Sequence, residues 1–328
     1  MRTKTRCTIC PKGCELAPGE MGDCRVRKNI GGEIVCTTYA LPCSMNIDPV
    51  EKKPLYHFLP GSPILSIATA GCNLHCRQCQ NWQISQAGNG IASQAEIFPE
   101  EVAQMAFKRK CPAIAYTYTE PLVSYEYTSD CCEAAAKAGI KNVLVTAAYI
   151  NPEPLRKICR FVDAANVDLK SFSDTFYRDV CDARLAPVLK ALTIMKECGV
   201  WLEITNLIIP TLNDAEEETK QLCSWIAENL GVETPLHFSR FFPQNKLKHL
   251  PPTPESVLLR AREIARETGL QFVYTGNMPS DEGENTNCPA CGNLLIERHG
   301  YTIRQNRLVD GTCPACPACQ TPIPGIWE

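Results

Sequence analysis

Residues 71–82 read GCNLHCRQCQNW, so Cys72, Cys76 and Cys79 form a C-x3-C-x2-C run directly after the apolar stretch ILSIA at 64–68. Offsets of four and three would also place three side chains on one helix face. Three cysteines are a rare choice for an apolar stripe, however, and Gly71 sets the segment on the exit from a strand, where loops carry chemistry. A structural zinc ion wants four ligands, and only His75 is at hand to complete such a set. Three thiolates around a four-iron cluster leave one iron without a protein ligand, and an open metal position is what a reactive site needs. The run therefore reads first as the ligand set of a [4Fe-4S] cluster.

Short apolar runs rich in β-formers continue on the carboxyl side: 112–117 (PAIAYT), 142–147 (NVLVTA), 164–169 (AANVDL), 200–209 (VWLEITNLII), 235–240 (PLHFSR) and 271–275 (QFVYT). Counting 64–68, their starts lie 22 to 48 residues apart, room for one crossover helix each. Pro99 and Pro121 mark first turns, and Gly139, Gly199, Gly231 and Gly269 mark helix stops. Parallel strands in this rhythm predict an α/β fold, a partial (β/α)6 TIM-like barrel, with a doubly wound sheet as the alternative; both put chemistry at the carboxyl ends of strands.

The 328 residues include 21 cysteines, 45% hydrophobic and 21% charged residues, which excludes a small disulfide scaffold and a disordered chain. A formal charge of −3 and the lack of basic runs leave no footprint for nucleic acid or an anionic membrane. MRTKTRCTIC has no apolar core of a signal peptide, and no window approaches a spanning helix, so a cytoplasmic, reducing location is expected. Twelve cysteines fall in three clusters, which in that compartment read as metal ligands; the other nine, such as Cys159, Cys198 and Cys223, read as core side chains.

The C-x3-C-x2-C loop after a first barrel strand resembles the signature of the radical S-adenosylmethionine (SAM) superfamily. DPVEKKPLYHFLPGS (48–62), GCNLHCRQCQNWQIS (71–85), YTYTEPLVSYEY (116–127), VDLKSF (167–172), PLHFSRFFP (235–243) and IPGIW (323–327) further resemble the AmmeMemoRadiSam-system radical SAM enzymes, relatives of glycyl-radical (pyruvate formate-lyase) activating enzymes. The resemblance implies a cluster on Cys72, Cys76 and Cys79 whose open iron chelates SAM. It implies reductive cleavage to methionine and a 5'-deoxyadenosyl radical, and hydrogen-atom abstraction from a protein glycyl site or a small molecule. It further implies a flavodoxin- or ferredoxin-like electron donor and Memo-like and AMMECR-like partners. Thr119 and Glu120 would meet the SAM amino group, and Asp168 and Lys170 its ribose and carboxylate. Gln78 stands where the superfamily often has an aromatic residue, which leaves Trp82 as a candidate to stack on adenine. Thr211 stands where a glycine is common.

Polar residues facing a barrel interior need a ligand or partners. On that ground Thr205 and Asn206 of the fifth strand and His237 of the sixth join the candidate cofactor contacts, while Arg240 is expected to hold a substrate anion or pair with an acid. Cys7, Cys10, Cys14 and Cys24 form a four-thiol set suited to a zinc ion or an auxiliary iron-sulfur cluster. At the other end NCPACG (287–292) and CPACPACQ (313–320) make two knuckles of a zinc-ribbon or rubredoxin-like site. The resemblance favours Cys288, Cys291, Cys316 and Cys319 there and leaves Cys313 spare. The expected division is 1–62, an amino-terminal Cys-rich module; 63–280, the barrel; and 281–328, the zinc-ribbon module. A non-catalytic electron carrier or scaffold with three metal sites is the competing function.

Overall fold

The computed structural model describes residues 4–87, 95–278, 283–308 and 314–328. The amino-terminal segment makes two small antiparallel pairs, β1 (Thr5–Arg6) with β2 (Glu15–Leu16) and β3 (Arg27–Ile30) with β4 (Glu33–Cys36). β5 (Pro42–Pro49) then runs antiparallel to β6 (Pro63–Thr69) at the edge of an eight-stranded sheet. Strands and helices alternate from there: α1 (Trp82–Ser85), α2 (Pro99–Lys108), β7 (Ala113–Tyr116), α3 (Tyr125–Lys137), β8 (Lys141–Thr146), α4 (Pro152–Ile158) and β9 (Ala164–Asp168). The second half adds α5 (Asp174–Cys181), α6 (Leu185–Glu197), β10 (Trp201–Ile208), α7 (Glu216–Asn229), β11 (Leu236–Arg240), α8 (Glu255–Glu267) and β12 (Val273–Gly276). A three-stranded antiparallel sheet, β13 (Thr286–Asn287), β14 (Leu294–His299) and β15 (Thr302–Asn306), closes the chain.

The seven apolar runs are the seven parallel strands β6 to β12, and their order in the sheet follows the sequence without reversal. A doubly wound sheet reverses its strand order part-way, so that alternative falls. β5 and β12 do not pair, which leaves a partial TIM-like barrel, one strand beyond the six-strand minimum and carrying an antiparallel edge that periodicity did not foretell. The anticipated glycine stops lie two residues past the ends of α3, α6, α7 and α8, all at positive φ (Gly139 71°, Gly199 80°, Gly231 101°, Gly269 93°).

Strand alternation divides the core. Leu65, Ile67, Ile114, Tyr116, Leu144 and Val167 face the helices, while Ile64, Ala113, Ala115, Val143 and Ala164 face inward. Those small inward residues make room for Val50, Leu55, Phe58 and Leu59, from the segment that precedes β6 and plugs the amino-terminal mouth of the barrel. Burial of each large plug side chain contributes about 2 kcal/mol. The plug is held by the chain's end: Leu59 N–H donates to the Ile326 carbonyl (2.7 Å) and Ile326 N–H to that of His57 (2.8 Å). A Cβ on Gly325 would lie 2.5 Å from the His57 oxygen, which accounts for the glycine of IPGIW. The Arg298 guanidinium, 1% exposed, brings β14 to the same place, donating to Tyr56 O (2.8 Å) above the Tyr56 ring.

Candidate cofactor site

The C-x3-C-x2-C loop leaves the carboxyl end of β6 and is stitched to the end of α5 by two backbone bonds, His75 N–H to Cys181 O and Arg77 N–H to Val180 O, both 2.9 Å. Gly71 sits at φ 102°, and a Cβ there would meet Val26 at 2.6 Å and the Cys24 carbonyl at 2.9 Å. The loop thus starts where only glycine fits, against the amino-terminal module. Leu74 N–H donates to Cys72 Sγ (3.4 Å), and the Cys79 thiol lies 3.9 Å from the Ser85 hydroxyl. Burial, then the charge of Glu120 and of the two companion thiols, pushes the Cys72 thiol well up. Cys76 moves the other way, down to about 7, through the Cys181 thiol beside it and against its burial, with help from the charge of Lys170.

Glu120 and Lys170 therefore share the neighbourhood of the three thiols. Glu120 is 2% exposed and accepts from Leu122 N–H (3.1 Å) and the Thr146 hydroxyl (2.7 Å) on one oxygen and Ala147 N–H (2.8 Å) on the other. It ties the turn after β7 to the end of β8, and burial raises its pKa despite those donors. Thr119 donates to Thr69 O (2.6 Å), bracing the end of β6. Lys170 reaches Asp168 at 2.9 Å, with the acid more exposed than the amine. Burial works against the ammonium, but Asp168, Cys76 and Cys181 outweigh it and push its pKa up. The residue set fits an anionic iron-sulfur cluster with an open coordination edge: three thiols with the partly buried Lys170 ammonium beside them.

The radical SAM superfamily model matches residues 66–223, from β6 into α7. An uncharacterised protein of Methanocaldococcus jannaschii is 46% identical over 316 residues, 96% of this chain and 94% of its own length. The chain belongs to the radical SAM superfamily. The pyruvate formate-lyase-activating enzyme of Clostridium pasteurianum is 24% identical over 165 residues, half of this chain and 69% of that enzyme. The crystal structure of a radical SAM methyltransferase from Sphaerobacter thermophilus superposes with a TM-score of 0.52 at 15% identity, covering 72% of this chain and 71% of the other, a likeness of fold.

Three of the expected cofactor contacts point elsewhere. His237 is the second residue of β11, and its Nε2 lies 2.7 Å from Glu203, an acid of the plugged end. The Thr205 hydroxyl donates to Asn166 Oδ1 (3.0 Å), and Asn166 in turn donates to Pro54 O (2.8 Å) in the plug. Asn206 faces away from the interior and donates to Leu169 O (2.8 Å), shaping the VDLK turn from behind. All three polar groups are satisfied by protein partners, Thr205 and His237 in the floor of the interior and Asn206 on the outer face. Arg240 pairs with Glu255 (3.3 Å) and donates to Thr253 O (2.8 Å), the arrangement of a paired cation. Thr211 holds φ 68°, the conformation a glycine takes more cheaply.

His75 is not a fourth ligand of the radical SAM loop. Its nitrogens meet Gln86 (2.7 Å) and Asp23 (3.0 Å). Asp23, His75 and Asp182 converge closely, but Lys12 already supplies the cation, at 3.2 Å from Asp23 and 2.7 Å from Asp182. Trp82 opens α1 and is 41% exposed. Cys159 and Cys223 are buried as expected, whereas Cys198 is exposed just past α6. Cys181, one of the nine cysteines read as core, lies against Cys76; nothing in its local sequence distinguishes it from a helix-core thiol. At the carboxyl end the structure gathers Cys288, Cys291, Cys316 and Cys319 with their sulfurs all within 4.8 Å, and Cys319 is pulled down to about 6, first by the Thr321 hydroxyl. Cys313 lies outside the described residues.

Proposed function

We propose that this protein reductively cleaves SAM to methionine and a 5'-deoxyadenosyl radical that abstracts a hydrogen atom from a substrate, as an activating-enzyme-like oxidoreductase of the AmmeMemoRadiSam type. The observation that carries the reading is the convergence of Cys72, Cys76 and Cys79 with Glu120 and the Asp168–Lys170 pair at the carboxyl ends of the strands. Cys72, Cys76 and Cys79 would hold a [4Fe-4S] cluster, which when bound would supply the one-electron reduction that splits a sulfonium C–S bond into methionine and the 5'-deoxyadenosyl radical. The chain's own residues position the cofactor. Lys170 offers its ammonium to a carboxylate, the more exposed Asp168 accepts from ribose hydroxyls, and Glu120 accepts from an ammonium with the lone pairs its three donors leave free.

A flavodoxin- or ferredoxin-like protein supplies the electron in this reading. The hydrogen donor is a protein glycyl site or a small molecule handled with Memo-like and AMMECR-like proteins, nucleic acid plays no part, and the enzyme works in the cytoplasm. No helix among the described residues is long and apolar enough to cross a membrane. The segments 1–62, 63–280 and 281–328 act as an amino-terminal metal module, a catalytic barrel and a zinc-bearing carboxyl-terminal module. The test is 5'-deoxyadenosine formation by anaerobically reconstituted protein given dithionite and SAM. Steady release is expected from the natural chain and none from the Cys72→Ala/Cys76→Ala/Cys79→Ala variant, which should lose about four irons. An iron-replete natural chain that neither binds SAM nor releases 5'-deoxyadenosine would make the protein an electron carrier or scaffold.

A further inference from the structure

Two of the three cysteine groups differ in a way that separates their metals. A tetrahedral ion with metal–sulfur bonds of about 2.3 Å holds its thiolates roughly 3.8 Å apart. The carboxyl-terminal module is built to that size, with Cys288–Cys319 at 3.5 Å and Cys291–Cys316 at 3.6 Å. Cys7, Cys10, Cys14 and Cys24 are not. Among the described residues no three of their sulfurs come within 4.8 Å of one another, and the same is true of Cys72, Cys76 and Cys79. Yet the four line one enclosed cavity together with Asn73 and Arg27. Cys7 and Cys14 are locked by a backbone bond (2.9 Å), and Asp23 N–H donates to Cys14 Sγ (3.5 Å), so the wide spacing is a held geometry.

Two buried polar atoms on that cavity wall lack hydrogen-bond partners. Asn73 is 1% exposed and Arg27 4%; Asn73 Oδ1 and Arg27 Nε are both unmatched, although the other Arg27 nitrogens bond Glu126 and Val123 O. An orphaned guanidinium N–H beside four thiols marks a place for an anionic group. The location adds a third argument. The carboxyl-terminal module is fixed to the plug through Arg298, at the end away from the chemistry. The amino-terminal module packs on the loops at the other end, through Cys24 O against Gly71, Ile9 O accepting from Asn151 N–H (2.9 Å), and Arg27 with Glu126 (2.6 Å). Asn73, which lines this cavity, follows Cys72 directly in the chain.

We infer that Cys7, Cys10, Cys14 and Cys24 hold a second, fully cysteine-ligated iron-sulfur cluster beside Asn73, the chain neighbour of Cys72, and that the carboxyl-terminal thiols hold a single ion. The inference stands apart from SAM cleavage, because its readouts are iron, sulfide and zinc. Full-length Cys72→Ala/Cys76→Ala/Cys79→Ala protein, purified and reconstituted without oxygen, should keep about four irons and an equal amount of acid-labile sulfide. Its dithionite-reduced electron paramagnetic resonance signal should not respond to SAM. Cys10→Ser/Cys14→Ser protein should lose that cluster and keep the SAM-responsive one, whose retention shows that the barrel is folded. If either variant fails to fold, the natural chain decides the matter: two reduced-cluster populations, one altered by SAM and one indifferent to it, are expected. A triple variant without sulfide, or a natural chain with two zinc ions and one cluster population, would overturn the assignment.

Discussion

Glu203 is the group on which the closed end of the barrel turns, and replacing it by Gln has a cost that follows from its contacts. The side chain is 0% exposed, and each oxygen accepts twice: Oε1 from His57 N–H (2.8 Å) and Trp201 Nε1–H (3.2 Å), Oε2 from Tyr56 N–H (2.9 Å) and His237 Nε2–H (2.7 Å). In either amide orientation, Glu203→Gln turns one acceptor into a donor facing two donors. Two buried donors left unmatched at roughly 1–3 kcal/mol each give a loss of about 4 kcal/mol, or a fall in Tm on the order of 10 °C. His237→Phe keeps a ring against Tyr56 (4.8 Å) and Tyr274 (5.0 Å) and removes one donor, so it should cost about 1–3 kcal/mol. The double variant should lose less than the sum, since both changes break one bond. Burial opposes the Glu203 charge, but His237, His57 and the Tyr56 N–H outweigh it and hold the carboxyl below its ordinary range. Its stabilisation is therefore complete above the unfolded value near 4.3 and is lost as pH falls through the lower folded value, so the gap between natural and Glu203→Gln protein should narrow in acid. Thermal melts across pH, with SAM binding measured well below the transition, test this. SAM affinity should stay within about twofold of the natural chain. Unchanged melting with lost SAM binding in His237→Phe would refute the reasoning and return His237 to the cofactor.

Lys170→Met should keep the iron of the Cys72 loop but bind SAM at least about tenfold more weakly, the loss of one charge-assisted contact, as read by equilibrium dialysis. Equal affinity would remove Lys170 from the SAM site. Gly71→Ala should destabilise by about 2–4 kcal/mol in denaturant titration, because φ 102° and the Val26 and Cys24 contacts leave no space for a methyl group. Val26→Ala should recover only part of that, as the Cys24 carbonyl remains. Cys288→Ser should release one metal ion per chain and lower Tm by about 5 °C or more, while 5'-deoxyadenosine output in the cold persists. Loss of output with the ion would give the carboxyl-terminal module a catalytic part.

The barrel was legible because its signals are local. Seven apolar runs with a stop glycine after four of the helices fix strand number and direction, and C-x3-C-x2-C fixes which strand opens the site. Direction within a strand was less legible. Alternation grouped Thr205 with Glu203 on one face of its strand, but inward is not the same as toward the cofactor, and the plug of Pro54 to Leu59 that claims the lower half of the interior has no periodic signature. Asn206 shows the converse: a polar residue on the outer face, buried because it holds the Leu169 carbonyl. Cys181 was hidden for a different reason, since a thiol at a helix end is an ordinary core residue until the fold sets it against Cys76.

The two ends of the barrel carry different chemistry, a matched polar cluster at one and a gathering of thiols and charges at the other. At the amino-terminal end the acceptors and donors of Glu203, His237, Asn166 and Thr205 are matched among themselves and with the plug, so a polar cluster there costs little and needs nothing added. At the carboxyl end the partly buried Lys170 lies beside the Cys76 and Cys181 thiols, and the buried Glu120 carboxyl accepts from three donors. Unpartnered buried atoms occur at both ends, Glu51 Oε2 and Arg298 Nε beside the plug and Gln78 Oε1 and Asn73 Oδ1 near the cysteine loop, so it is charge and thiol content that set the ends apart. The matched Glu203 network fixes the strands of the lower half, and the upper half gathers three thiols, a cation and a carboxylate where an anionic cluster and a zwitterionic cofactor would find their counterparts.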